Sequence, residues 1–231
     1  MAIGSFVVTW YGVLYIVAFW LAWMILPRLQ DYRSLKIRQD DWVSILAAGV
    51  AGVLIGGRLG YVLFYEPGYF INHPLEVLAI WNGGMSSHGG FLGVALALWV
   101  MVKHLKISYW DLMDVAVVPV ALGLALGRVA NFINQELYVS TIGFGVAVAK
   151  NLLIFVVTYW LLIKGKKRSG MVLAIFLIMY SVLRFLTEFL RVQDYADIWE
   201  LTRGQLYSLP LLLLGLWVLR HAEKSETELV E

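Results

Sequence analysis

An arginine, two asparagines and a glutamate stand close together at Arg128, Asn131, Asn134 and Glu136, directly after Val115 to Leu126, a stretch that holds no charge. A guanidinium there lies at or just inside the edge of a bilayer. At mid-membrane it would cost about 3 kcal/mol, so it needs a partner or a ligand, and intramembrane arginines are functional-site candidates by default. A second polar set follows at Tyr180, Arg184, Glu188 and Arg191. The spacing i, i+4, i+7 puts the last three on one helix face, with Tyr180 one turn above. An internal Arg–Glu pair that fixes helix packing is one reading of this set. Glu188 can neutralise only one of its two arginines, however, and with Arg128 and Arg58 the excess is cationic. Fixed cations in a membrane suit an anionic lipid headgroup.

A third candidate is His88, within Trp81-Asn82-Gly83-Gly84-Met85-Ser86-Ser87-His88-Gly89-Gly90. Glycine turns at the start of a helix expose backbone N–H groups to an oxyanion, and an imidazole titrates near neutrality and can act as a general base. The alternative is a structural histidine at the membrane edge. His73, His104 and His221 have no comparable setting. No His/Asp/Glu cluster stands at metal-ligand spacing, so neither metal nor cofactor is expected. The pair Asp111 and Asp114 reads as a helix N-terminal cap. Ser86 and Ser87 adjoin His88 without the strand-to-helix elbow of a nucleophilic serine. The chain has no cysteine, which excludes disulfides, thiolate metal sites and a cysteine nucleophile.

The elements that must position these residues are membrane helices. With 61% hydrophobic and 15% charged residues and a mean hydropathy of +0.76, the chain is too apolar for an ordinary soluble domain. A span needs about 20 apolar residues. Seven stretches qualify, near 5–26, 42–65, 88–102, 112–131, 141–163, 171–190 and 205–220, the last bent at Pro210. The fold class expected is therefore an all-α integral membrane protein of about seven transmembrane helices. It forms a single membrane domain over residues 1–222, followed by a short acidic tail over 223–231. The first cation is Arg28, beyond the first span, so that span is expected to be retained rather than cleaved as a signal peptide.

Cations concentrate in alternate connections: Arg28, Arg33, Lys36 and Arg38 in the first, Lys103 and Lys106 in the third, Lys164, Lys166, Lys167 and Arg168 in the fifth. The positive-inside rule then places the N-terminus outside and the C-terminus in the cytoplasm. On this reading the working face, with loops 66–87 and 135–140, lies on the outer side. Repeated glycines within spans, Gly49, Gly52, Gly56, Gly57 and Gly60 above all, read as close helix packing. No internal repeat is visible, which argues against a transporter.

These residues resemble one known family, the prolipoprotein diacylglyceryl transferases of bacterial inner membranes. The resemblance runs through Trp10-Tyr11-Gly12, Gly57-Arg58-Leu59-Gly60-Tyr61, Gly84 to Gly90, Gly127 to Leu137, Tyr180 to Arg191, and Gly204-Gln205-Leu206-Tyr207-Ser208-Leu209-Pro210. It implies a multi-pass enzyme of the inner membrane. Such an enzyme moves the diacylglyceryl group of phosphatidylglycerol to the lipobox cysteine thiol in the signal peptide of a prolipoprotein, releasing glycerol 1-phosphate. Its partners would be those two substrates and the membrane lipids, with no nucleic acid. The family's functional positions carry over to Tyr11, His88, Arg128, Asn131, Glu136, Tyr180, Arg184, Glu188 and Arg191.

The assignment expected is His88, Arg128, Arg184, Glu136 and Tyr180 as catalytic residues. Arg128, Asn131, Asn134, Arg184, Glu188, Arg191, Tyr11 and Arg58 would bind phosphatidylglycerol. Two departures mark a compact or divergent member. The outer segment expected after Leu137 is replaced by Tyr138-Val139-Ser140-Thr141, and the His-Pro-x-Gln-Leu-Tyr-Glu motif expected next reads Val146-Ala147-Val148-Ala149-Lys150-Asn151-Leu152. They motivate a second reading, a lipid-binding or lipid-transferring protein of this fold that has lost the acceptor chemistry.

Overall fold

The computed structural model describes residues 2–3, 6–7, 10–135, 141–165, 168–190 and 201–227. Eight α-helices carry these residues: α1 (Trp10–Leu29), α2 (Gln39–Phe64), α3 (Pro67–Asn72), α4 (Ser87–Leu105), α5 (Tyr109–Ile133), α6 (Thr141–Lys164), α7 (Met171–Thr187) and α8 (Arg203–Thr227). Short 3-10 turns follow α1 at Gln30–Arg33, fill the α3–α4 connection, and extend α7 at Glu188–Leu190. The protein is an all-α membrane protein in which, among the described residues, five helices are long and apolar enough to cross a bilayer: α1, α2, α5, α6 and α7, the first and last counted together with their 3-10 extensions. Within α4, Gly89–Leu105 forms a shorter apolar helix. Large apolar side chains such as Ile16, Ile55, Leu63, Leu92 and Trp160 point outward, as lipid contact requires.

Two expected boundaries shift. Residues near the start of the first span form an antiparallel pair of two-residue strands, β1 (Ala2–Ile3) and β2 (Phe6–Val7), in the register Ala2↔Val7 and Ile3↔Phe6. The β-branched Ile3, Val7, Val8 and Thr9 around Gly4-Ser5 favour a hairpin over a helix, so α1 starts only at Trp10. At the other end α8 runs unbroken past Pro210 and through residues 223–227 of the acidic tail.

The chain divides into two compact units, one of residues 1–36 and 110–231, the other of 37–109. In the first, α5 makes polar contacts with α1, α6 and α7. α1 runs antiparallel to it, with Gly123 against Ala18, Asn131 bonded to the Tyr11 hydroxyl, and Arg33 joined to Asp114 at 2.9 Å. The Arg33 and Asp114 side chains are 2% and 0% exposed. Asp114 also accepts the backbone N–H groups of Gly170 at 2.9 Å and Leu173 at 2.8 Å. The expected cap is thus real for Asp114, although it closes the N-terminus of α7 instead of that of α5. Gly170 sits there at φ +87°, a conformation that favours glycine. Asp111 accepts a 2.6 Å bond from the Ser169 hydroxyl one turn away. At the start of α8, Thr202 and Gln205 bond each other's backbone N–H at 3.1 and 3.0 Å, a reciprocal capping box.

The second unit is built on backbone proximity. Gly52, Gly56 and Gly60 of α2 face Gly89 and Gly93 of α4, and a Cβ placed at Gly52, Gly56, Gly60, Gly89 or Gly93 would fall within 3.0 Å of the opposite backbone. Lipid is as apolar as leucine, so helices associate through such close contact rather than through hydrophobic burial. The expected packing role of these glycines holds here, whereas Gly49 meets nothing within 4 Å.

Two outcomes follow. Asp114→Ala strands Arg33 as a buried charge, and a loss of about 3–5 kcal/mol is expected. It should register as a lowered thermal midpoint in micelles, with much of it restored in the double variant carrying Arg33→Met. Gly56→Ala forces α2 from α4 and should destabilise by about 1–3 kcal/mol, while Gly49→Ala leaves the midpoint near that of the parent.

Candidate functional site

The first unit brings two arginines to one level. α5 and α7 both start beside Asp114 and run in the same direction from it. At 1.5 Å per residue, Arg128 lies about 21 Å along α5 from Asp114 and Arg184 about 17 Å along α7 from Leu173. Both therefore stand toward the far ends of their helices. α6 returns between these levels: the Asn151 amide donates to the Leu124 carbonyl of α5 at 3.3 Å and to Ala147 in its own helix at 3.1 Å.

Around the arginines, most of the expected residues lie among the described ones. Arg184 pairs with Glu188 at 3.3 Å. This is the i, i+4 pairing, and the carboxylate is almost wholly buried. A Cβ at Gly204 would strike all three atoms of that carboxylate group. The backbone at the start of α8 therefore lies directly against the Glu188 carboxylate, which would have to shift for any larger residue at 204. Tyr180, one turn before Arg184, stacks on Phe176 with ring centroids 6.0 Å apart, and the Lys150 ammonium lies 5.7 Å from its ring centroid. Arg128 is half-buried, and Asn131, three residues on, is buried with its amide on the Tyr11 hydroxyl. Asn134 is exposed in the turn that ends α5, its N–H bonded to the Ala130 carbonyl at 3.0 Å. Glu136 and Arg191 lie outside the described residues.

The second unit carries the other two candidates. Arg58 sends its guanidinium into the α2–α4 connection, donating to the carbonyls of Glu76 at 2.6 Å, Val77 at 2.9 Å, Gly83 at 2.6 Å and Gly84 at 3.2 Å. Its planar face lies 5.0 Å from the Phe70 ring centroid. This is the geometry of a clamp: one buried cation collects the main-chain acceptors of a loop. In the same connection the Tyr69 hydroxyl donates to the Glu76 carboxylate at 2.7 Å. That bond, with the carboxylate's charge, raises the phenol above its ordinary value. The loop closes where Ser86 accepts the Gly89 N–H at 3.2 Å as the cap of α4 and bonds its own N–H to the Gly57 carbonyl at 2.8 Å. His88 is the second residue of α4, and its side chain lies outside the described residues.

Two polar groups escaped the sequence reading. Lys150 is buried within α6 at 7% exposure, and its only sequence signal was a charge at the tenth position of an apolar helix. The Arg33–Asp114 pair joins residues 81 apart, and no local spacing announces such a bond.

Comparison with known proteins closes the question of kinship. The model of the family described as prolipoprotein diacylglyceryl transferase matches residues 1–221. The chain is 36% identical to the phosphatidylglycerol–prolipoprotein diacylglyceryl transferase of Azoarcus sp., over 96% of this chain and 93% of that one. It is 38% identical to the enzyme of that name from Dechloromonas aromatica and 37% to that from Geobacter sulfurreducens, each over 93% of this chain and 90% of the relative. The Azoarcus alignment runs over 249 residues, more than the 231 of this chain, so the relative holds residues that this compact chain lacks. The chain belongs to the prolipoprotein diacylglyceryl transferase family.

Proposed function

We propose that this protein transfers the diacylglyceryl group of phosphatidylglycerol to the cysteine thiol of a prolipoprotein lipobox. The sulfur attacks the glycerol carbon that bears the phosphate. A C–S bond forms, the C–O bond breaks, and glycerol 1-phosphate leaves with the electron pair. The observation that carries the site assignment is the pair of half-buried arginines, Arg128 and Arg184, at one level of the first unit. The phosphodiester carries one negative charge and the departing phosphate gathers more, so cations aimed at its oxygens stabilise the transition state beyond the ground state.

Glu188 holds Arg184 in place from within the same helix, and Arg128 faces the headgroup from α5. Tyr11 fixes Asn131 by accepting from its amide, which leaves the residue oriented for a headgroup hydroxyl. Asn134 and Glu136 extend the headgroup contacts, Arg191 adds a cation beyond Glu188, and Tyr180 lines the site. The thiol, with a free pKa of about 8.5, must lose its proton, and His88 is the base assigned to it. The charge alternation supports an N-terminus outside the cell, a C-terminus in the cytoplasm and seven crossings, with the site toward the outer face of the inner membrane.

Two measurements test this on purified protein with phosphatidylglycerol and a lipobox peptide, following the thioether product. Arg128→Ala and Arg184→Ala should each slow conversion by about 100-fold, the scale of losing one preorganised charge stabiliser. Rates near that of the parent would remove the phosphate clamp. Phosphatidylglycerol binding by the parent with no thioether would favour the lipid-binding reading. His88→Gln should slow the reaction by about 100-fold and abolish the rise in rate as pH climbs through about 6.5. An unchanged rate and profile would make the histidine structural.

A further inference from the structure

The cap that opens α8 leaves one polar group over. Gln205 accepts the Thr202 N–H at 3.0 Å through its side-chain oxygen, and its own N–H bonds the Thr202 hydroxyl at 3.1 Å. A backbone N–H only donates, so the atom that meets it is Oε1, and the amide nitrogen Nε2 is thereby fixed on the opposite arm. Gln205 is 2% exposed, and Nε2 has no hydrogen-bond partner among the described residues. A buried donor without an acceptor costs stability. The cap has no use for it, because a glutamate here would close a capping box as well as a glutamine does.

The surroundings narrow what the donor can meet. Gly204, the residue before, lies with its backbone against the Glu188 carboxylate, and the Gln205 amide folds back to the same end of α8. Glu188 follows Arg184 by four residues, about one turn or roughly 5 Å farther from the middle of α7. With a phosphate held at the Arg184 level, that is the side of the headgroup alcohol, away from the acyl chains. A second anion beside Glu188 would be repelled, so the acceptor suited to Nε2 is neutral. A hydroxyl oxygen is such an acceptor, whereas an ammonium only donates.

We infer that Gln205 is a specificity-determining residue of the phospholipid site, its Nε2 donating to a hydroxyl oxygen of the headgroup glycerol. The inference rests on the transferase reading and deepens it. Gly204 and Gln205 divide the work at the start of α8: the glycine admits the Glu188 carboxylate, and the glutamine supplies the donor beside it. The hydroxyl takes up that donor as the lipid settles against the helix end. A lipid without the hydroxyl gains nothing from Gln205, and one with an ammonium there sets donor against donor.

The test uses the full chain in micelles with a lipobox peptide, comparing phosphatidylglycerol with phosphatidylethanol, which has the phosphodiester and no headgroup hydroxyl. Gln205→Met is expected to lower kcat/KM for phosphatidylglycerol by about tenfold and to leave that for phosphatidylethanol within about twofold, the pattern of one lost hydrogen bond. Where turnover of phosphatidylethanol is too slow to follow, its Ki against phosphatidylglycerol is read instead. Gln205→Glu keeps the cap and offers a carboxylate to an ammonium, so the preference for phosphatidylglycerol over phosphatidylethanolamine should fall by about tenfold or more. Thr202→Ala weakens the cap without touching Nε2 and should keep the parent's preference among lipids. An equal loss on both lipids in Gln205→Met, an unchanged preference in Gln205→Glu, or a preference lost in Thr202→Ala as well overturns the inference, because the cap then accounts for the residue. If Gln205→Met does not accumulate folded, Gln205→Glu decides alone, and failure of both to fold makes the residue structural and overturns the inference. A parent protein that makes no thioether from phosphatidylglycerol fails the transferase reading itself, and the inference falls with it.

Discussion

One buried carboxylate sets the frame of the first unit. Asp114 has four acceptor positions, and three are taken: by Arg33 at the end of α1 and by two backbone N–H groups at the start of α7. An isolated charge at that depth would not remain ionised. The pair is therefore held by these hydrogen bonds, and the bonds decide which helix ends meet. α1 must return antiparallel to α5, and α7 must begin level with the start of α5. The level of the two arginines follows from those constraints together with the rise of a helix. A polar tie at one end thus fixes the geometry of polar groups near the other, through segments that are otherwise apolar.

The second unit solves the same problem in another way. Among the described residues α2 and α4 share no buried ion pair, and they meet through glycines so close that no side chain fits at the crossing. Backbone contact of this kind gains dispersion energy and weak Cα–H···O bonds without any solvent-driven term. The same hairpin carries a loop whose exposed carbonyls would be costly near lipid, and Arg58 answers four of them at once. Its positive charge is matched by carbonyl dipoles and an aromatic face instead of by a carboxylate. A charge in a membrane segment is thus a sign of need for partners, and the partners can be the chain itself.

Much of this was legible in the sequence. The apolar periods place every long helix, because lipid tolerates no unsatisfied backbone and length alone then decides. Gly52, Gly56 and Gly60 announced close packing by their spacing, and Arg184 with Glu188 announced an i, i+4 pair. What was not legible depends on distant contacts. Arg58 reads identically whether it meets a phosphate or a loop carbonyl, and only the folded connection of residues 66–86 distinguishes them. Asp114 read as a cap, yet the helix it closes lies far along the chain. Phe6 and Val7 read as the start of a span because hydropathy does not separate an apolar strand from an apolar helix turn. Lys150 sits in a stretch that departs from the family's motif, so neither resemblance nor period drew attention to it.

The pairing of Arg184 with Glu188 bears on how a cationic site can exist in lipid before its ligand arrives. Two or three free cations at one level would repel one another and draw in water or counter-ions. In the proposed site the buried carboxylate beside Arg184 lowers that cost. Glu188 is placed by packing as well as by charge: its carboxylate lies against the backbone at Gly204, and the reciprocal cap of Thr202 and Gln205 fixes that backbone in turn. The guanidinium of Arg184 is consequently oriented before substrate binds, and little reorganisation accompanies the arrival of a phosphate. The helix that carries no cation among the proposed site residues, α8, thereby reaches the Glu188 carboxylate through its backbone at Gly204.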